Sequence, residues 1–393
     1  MRVRTTLVGA TAVLLTAALA APAAAATGSR SAGGHADTRK AHADTGKAHA
    51  DTRKALEAAV VAGVPGATAT VRDVHGTWST AVGTGDLRTG APRSAADRYR
   101  VGSITKTFVS TVLLQLESEG RLSLDDSVEK WLPGVVHGHG HDGRRITVRQ
   151  LLNHTSGIYN YTEDEGFGRD YFTKEGFDRH RYVTLTPGRL VAIAMRHEPD
   201  FAPGTSWHYS NTNFVVAGMV IEKVTGRPYA EEITRRIIGP LHLRATSLPG
   251  TRVTVPQPSS RAYSKFTDPK GPTYDVTNLN PSLASTAGEM ISNSADLDHF
   301  YSALLGGKLL PPHQLKEMKT TVEIKEAPNA GSYGLGLMET PLSCGVHVWG
   351  HDGGIHGSTS VAITTEDGRH SLASNFNGDW TGDARAVAEA EFC

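Results

Sequence analysis

Alternating polarity with a period of two is gathered at the two ends of this 393-residue chain, and helical spacing fills the middle. That split constrains the fold more than any single motif does. Near the start, Ala67 to Asp73 alternates small or apolar residues with polar ones and reads as a strand, with Thr77 to Gly83 as its hairpin partner. Near the end, Val346–Gly350, Ser358–Thr365 and His370–Asn375 read as strands, with Glu366-Asp367-Gly368 as a tight turn between the last two. Between these groups the spacing predicts helices. A short one ends at Pro133, another covers Ile146 to His154, a strongly apolar one covers Asn213 to Val224, and a further one lies within Ala284–Leu305 with Ser294 and Asp296 as caps. Leu56, Ala59 and Val60 open a helix that stops at Gly63, and Thr381 to Phe392 closes the chain as an amphipathic helix. The simplest assembly is an α/β (α+β) fold: one antiparallel sheet built from both ends, flanked by the terminal helices, with a mostly helical region inserted.

Arg2 and Arg4 precede an apolar run from Leu7 to Leu19, and small residues follow to Ala26, the pattern of a cleaved secretory signal over residues 1–26. No other stretch approaches the ~18 apolar residues of a spanning helix, so the mature protein is expected to be secreted, without a membrane span. Residues 27–54 read as a low-complexity linker. It contains a heptad repeat, His35-Ala-Asp-Thr-Arg-Lys40, His42-Ala-Asp-Thr-Gly-Lys47 and His49-Ala-Asp-Thr-Arg-Lys54, that lacks the apolar a and d residues of a coiled coil. The catalytic domain is expected over 55–393. Without Arg2 and Arg4, 38 basic residues face 40 acidic ones, a net charge of −2 that excludes a polyanion-binding surface and a nucleic-acid partner. The two cysteines, Cys344 and Cys393, form an even pair that reads as a structural disulfide in an oxidising compartment.

Three short motifs carry chemistry. In Val101-Gly102-Ser103-Ile104-Thr105-Lys106, Ser103 stands at a helix start, where its hydroxyl is expected to cap the helix, and Lys106 follows on the same face. A serine is a weak nucleophile until a neighbour takes its proton, and a lysine in a dry site can have its pKa lowered enough to do so. In Trp207-His208-Tyr209-Ser210-Asn211, Tyr209 can relay protons as phenol or phenolate, and Asn211 can hold a substrate amide. Gly350-His351-Asp352-Gly353-Gly354 ends a strand. Glycine there admits a substrate backbone, and an exposed N–H can join that of Ser103 in an oxyanion hole. Each motif has a plainer reading: a capped helix with a surface lysine, a buried aromatic beside a helix start, a glycine-rich hairpin entry. His137, His139 and His141 sit in a glycine-rich segment that reads as a surface loop, and His351 with His356 lacks a third ligand, so no metal is expected.

Ser103-x-x-Lys106, Tyr209-x-Asn211 and His351-x-Gly353 stand in the order found in the serine β-lactamase-like and penicillin-binding family, which this chain resembles from Ala55 onward. Ile146 to Gly157, Tyr209 to Gly218, Ser285 to Ser292 and Tyr333 to Leu337 are similar to its signature blocks. Within the family the chain resembles the secreted, soluble D-alanyl-D-alanine carboxypeptidases. Some of these share the His-x-Gly form and a cysteine pair placed like Cys344 and Cys393.

The resemblance implies a helical region against an α/β sandwich, with the site in the groove between them. It implies acyl transfer through Ser103, with proton transfer by Lys106 and Tyr209. Asn211, His351, Gly353 and Gly354 would line the substrate groove, the N–H groups of Ser103 and Gly354 would hold the oxyanion, and no cofactor would be needed. Substrates would be small peptides, amides or esters of the peptidoglycan type, and β-lactams would acylate the enzyme. Carboxypeptidase activity leads these expectations. The alternatives are an esterase, a D-amino-acid amidase or aminopeptidase of the same fold, or a non-catalytic β-lactam-binding sensor. Two departures raise the alternatives: Tyr333 to Gly345 contains no Lys or Arg, with Met338 where an arginine is expected, and Asp352 stands inside the third motif. Arg169 or Arg179 from the middle region can restore a carboxylate pocket only if the fold brings one of them in.

Overall fold

The computed structural model describes residues 49–324 and 331–393. The signal segment and the first two repeat copies lie outside the described residues. The first helix, α1 (Ala50–Val61), opens inside the third repeat copy, where the linker was expected to continue to Lys54. The reason lies on its buried face, which Thr52, Leu56 and Ala59 share. His49 and Thr52 also bond to the Glu391 carboxylate at 3.0 and 2.5 Å.

Strands β1 (Gly66–Asp73) and β2 (Gly76–Asp86) form a hairpin, with β3 (Ala91–Pro92) beside β2. A 3-10 turn over Gly102–Ile104 leads into α2 (Thr105–Ser118). Helices α3 (Asn211–Thr225) and α4 (Ser294–Leu305) are the long elements of the inserted region. The chain then returns to the sheet through β4 (Val322–Glu323), β5 (Ser332–Tyr333), β6 (Met338–Pro341), β7 (His347–Ile355), β8 (Ser358–Thr365) and β9 (Ser371–Phe376), and ends in α5 (Ala384–Phe392).

The nine strands form one antiparallel sheet in the order β4-β5-β6-β7-β8-β9-β1-β2-β3. The two chain ends meet at β9 and β1, where Ala67 faces Phe376 and Val71 faces Leu372. The period of two sorts these strands by face. Ala67, Ala69, Val71, Leu372 and Phe376 pack with Leu56 of α1 and Val387 of α5. On the other face Arg72 donates to Asp298 of α4 at 2.9 Å. The five strands and two terminal helices expected from the sequence are present, and β3, β4, β5 and β6 extend the sheet beyond them.

Local expectations changed at several points. Helix α4 is capped by Asn293, which accepts from the Asp296 N–H at 2.9 Å, because the preceding Ile291–Ser292 pairs as a strand with Tyr99–Arg100. Helix α5 begins only at Ala384, after Asp383 caps it. The histidine-rich segment is a small β-hairpin, His137–Gly138 against His141–Asp142, rather than a loose loop, and His141 is buried. Among the described residues no helix is long and apolar enough to cross a membrane.

Cys344, in the β6–β7 connection, is joined to Cys393 after α5, with Cα atoms 5.7 Å apart. The closed loop spans 49 residues, for which the chain-entropy account gives about 4 kcal/mol. Reduction is therefore expected to lower the melting temperature by several degrees, and intact mass without reductant should run two hydrogens light. Two thiols that alkylate freely in the native protein would contradict the bridge.

Candidate active site

The nucleophile is presented by a buried helix. From Tyr99 to Leu114 every residue is buried except Ser103. A helix that is buried all round fixes what it carries, and the stacking of Phe108 on Phe300 of α4 at 3.7 Å locks this one. The regular helix starts at Thr105, and Ser103 sits in the 3-10 turn before it without capping it. Its hydroxyl is engaged elsewhere, 2.9 Å from the Lys106 ammonium nitrogen. The expected cap is thus replaced by a tertiary contact.

Lys106 is fully buried. Its Nζ has two further neighbours, Asn211 Oδ1 at 2.8 Å and the Ala287 carbonyl at 2.7 Å. Both of those atoms can only accept. Burial lowers the lysine's pKa well below its ordinary value, against the pull of Asp352. A neutral amine has two protons and one lone pair. In the neutral form that burial favours, two protons can serve Asn211 and Ala287 while the lone pair faces the Ser103 hydroxyl, the arrangement a base needs.

Tyr209 lies across the lysine, its ring centre 4.8 Å from Nζ. Burial raises its pKa far above the ordinary phenol value, and hydrogen bonding to Ser103 offsets only part of this. The neutral phenol is therefore the favoured form, in which Tyr209 can pass a proton. Asn211 is turned inward as well: its Nδ2 donates to Thr162 Oγ1 at 3.2 Å while its oxygen serves Lys106. In the free protein it positions the lysine before it meets any substrate.

The third motif lies within β7, not at the end of a strand, and pairs along its length with β8 from Gly350–Ile363 to Gly354–Thr359. Glycine is required where this strand meets the nucleophile turn. A Cβ at Gly353 would stand 2.0 Å from the Val101 carbonyl, and Gly102 takes φ +56° with its Cβ position 2.8 Å from Gly354 N. The backbone at Ser103 is thereby brought close to that at Gly353 and Gly354, as an oxyanion site built from both segments needs. At Gly354 itself a side chain would meet only open space. His351, expected to touch substrate, is instead 1% exposed. Its Nδ1 donates to the Asp352 carbonyl at 2.5 Å, and its Nε2 pairs with the Tyr333 hydroxyl at 2.8 Å. Asp352 is half-exposed, with Oδ1 3.4 Å from the His351 ring. Neither middle-region arginine fills a carboxylate pocket: Arg169 pairs with Asp170 at the surface, and Arg179 is exposed.

Ser103, Lys106, Tyr209, Asn211, Gly353 and Gly354 thus converge, with His351 behind them, while the cysteine pair braces α5 to the β6–β7 connection. Sequence reasoning passed over the Ala287 carbonyl, Thr162, His154 and Tyr333. A backbone oxygen leaves no signature in a side-chain motif, but Ala287, His154 and Tyr333 all lie in blocks quoted for the family resemblance. His208, next to Tyr209, is held by Asp200 at 2.7 Å and Glu163 at 3.4 Å, which raise its pKa to about 10. It is therefore an imidazolium that ties the 200s loop to the groove rim.

This arrangement has the parts that acyl transfer requires: an amine beside the Ser103 hydroxyl to take its proton, a serine oxygen to attack a carbonyl, and nearby backbone N–H groups for an oxyanion. Comparison with known proteins agrees. The sequence model of the Beta-lactamase family matches residues 53–391. The chain is similar to the solved structure of a D-stereospecific amidohydrolase from Streptomyces sp., with 64% identity, a TM-score of 0.84, and 88% of this chain and 98% of that one covered. It is also similar to the D-amino acid amidase from Ochrobactrum anthropi SV3 complexed with L-phenylalanine amide, at 27% identity and a TM-score of 0.75, with 88% and 96% covered. Penicillin-binding protein 4* of Bacillus subtilis (strain 168) is 27% identical over 293 residues, 72% of this chain and 61% of its own length, so the chain spans less than two thirds of that relative. The chain belongs to the Beta-lactamase family and has the fold shared by β-lactamases and penicillin-binding proteins.

Proposed function

We propose that the protein, once exported, hydrolyses amides and esters of D-configured amino acids and peptides through a Ser103 acyl-enzyme, and disfavours donors that end in a free carboxylate. The observation that carries this reading is the half-exposed Asp352 carboxylate inside the third motif, beside His351. Its charge acts on Lys106 and Tyr209. Desolvation opposes its ionisation, but the adjacent His351 ring outweighs it and holds the carboxyl below its usual range. A substrate carboxylate ~4 Å away would be repelled by about 1 kcal/mol in water and about 4 kcal/mol at an effective dielectric of 20. The segment from Tyr333 to Gly345 supplies no basic residue to offset this. An amide or ester terminus carries no charge to repel.

The D-configured donor is supported by the likeness to the D-stereospecific amidohydrolase and the D-amino acid amidase. Trp207, Ile324 and Tyr333, with Tyr209 and Met338 against them, form an apolar cluster beside the nucleophile that supports an apolar substrate side chain. β-Lactams fit the same site as strained amides. The test compares a peptide ending in D-Ala-D-Ala with the same peptide amidated at its C-terminus. The amide is expected to have at least a tenfold higher kcat/KM, and Asp352→Thr should narrow the gap. If the free acid is cleaved as well as the amide, the protein is a carboxypeptidase and the reading fails.

A further inference from the structure

His154 stands where the helix Val148–Leu152 ends, with φ +61°, a left-handed conformation in which Gly or Asn is the usual residue. An unfavourable backbone held in place by its surroundings points to a side chain that is needed. The side chain is fully buried. Its ring lies 4.3 Å from the Tyr209 ring and 4.7 Å from that of Tyr333, centre to centre.

The hydrogen bonds of its carbonyl and ring run to one short segment, His208 to Asn213. The His154 carbonyl accepts from the His208 N–H at 3.1 Å. Its Nδ1 accepts from the Ser210 N–H at 3.1 Å. The residues on both sides of Tyr209 are therefore fastened to the same histidine. A third donor fixes the ring: Ser156 Oγ donates to Asn213 Oδ1 at 2.6 Å, which turns Asn213 Nδ2 toward His154 Nδ1 at 3.2 Å. With two N–H donors directed at Nδ1, the imidazole is neutral with its proton on Nε2, and burial favours that form.

We propose that His154 is the positioning residue for Tyr209, acting as a hydrogen-bond acceptor that brackets the phenol and sets its hydroxyl against Ser103 and Lys106. The inference rests on the reading of Tyr209 as the proton-passing group. Its chemistry makes a sharp demand on replacements. Asparagine tolerates a left-handed backbone and places Oδ1 close to where Nδ1 stands. Glutamine puts its carbonyl one bond further out, and phenylalanine keeps the ring but offers no acceptor.

The test measures kcat and KM on a neutral ester substrate for His154→Asn, His154→Gln and His154→Phe, each in the wild-type and Tyr209→Phe backgrounds. In the wild-type background His154→Phe and His154→Gln are expected to lower kcat on the order of 10²-fold, as a misplaced catalytic group does, with KM little changed. His154→Asn should stay within a few-fold of wild type. In the Tyr209→Phe background none of the three should cost much more, because the group they position is already gone. Equal losses in both backgrounds, or His154→Asn as slow as His154→Gln, would overturn the proposal while leaving Tyr209 in its role. Tyr209→Phe at the wild-type rate would overturn both. If His154→Phe does not fold, the Asn and Gln pair decides alone.

Discussion

Ser103→Ala is expected to abolish turnover of every substrate while leaving the fold and substrate binding intact. The loss should be about 10⁴-fold or more in kcat, the scale on which a serine hydrolase depends on its nucleophile. The fold should survive because Ser103 is the one residue from Tyr99 to Leu114 that is not buried, so removing its oxygen opens no cavity in the core. Mass spectrometry after treatment with a slow acylating β-lactam should place the adduct on Ser103 in the wild type and find none in the variant. An adduct on Ser210, which is buried beside Tyr209, or undiminished turnover in Ser103→Ala, would remove the nucleophile assignment.

The second large effect concerns Lys106. Lys106→Met should lower kcat on the order of 10²-fold or more, the usual scale for a positioned proton-transfer group. Lys106→Arg separates charge from basicity: it keeps the cation but offers no lone pair at any working pH, and it should be as slow as Lys106→Met. The sign of the pH dependence follows from the contacts. Protonated Lys106 has no lone pair for Ser103, so activity should rise with pH as the lysine loses its proton. Burial lowers that pKa, so the rising limb should lie well below the range of an ordinary lysine. A profile that rises only near the ordinary lysine pKa, or an active Lys106→Arg variant, would show that the base lies elsewhere.

The longer strands at both ends were legible because they alternate with the pleat, whereas β3, β4, β5 and β6, of two to four residues, are too short to show a period. The third motif was harder. Glycine and histidine are poor strand residues, so Gly350 to Gly354 reads as a hairpin entry, whereas the ladder to β8 overrides local preference. Ser103 shows the same limit from the other side. Its position at a helix start suggests a cap, but its hydroxyl is taken by Lys106, a contact that depends on how the turn meets β7. The inserted region gave up its helices but not their ends, since the Ile291–Ser292 strand exists only because Tyr99–Arg100 lies next to it. His154 was invisible for a third reason. Its importance rests on a backbone dihedral and on backbone N–H groups more than fifty residues away, neither of which any spacing encodes.

The pairing of β9 with β1 also sets an order of events during synthesis. The nucleophile turn is made early, but β7, which completes the oxyanion site, lies near the end of the chain, and β1 waits for β9 until residue 376 has been made. Contacts of such long sequence separation form late and slowly. A chain still emerging from a ribosome therefore carries Ser103 and Lys106 without the strand that completes their site. The hydrolase stays silent until its last tenth arrives, and a chain that stops short of β9 should be inert as well as unstable.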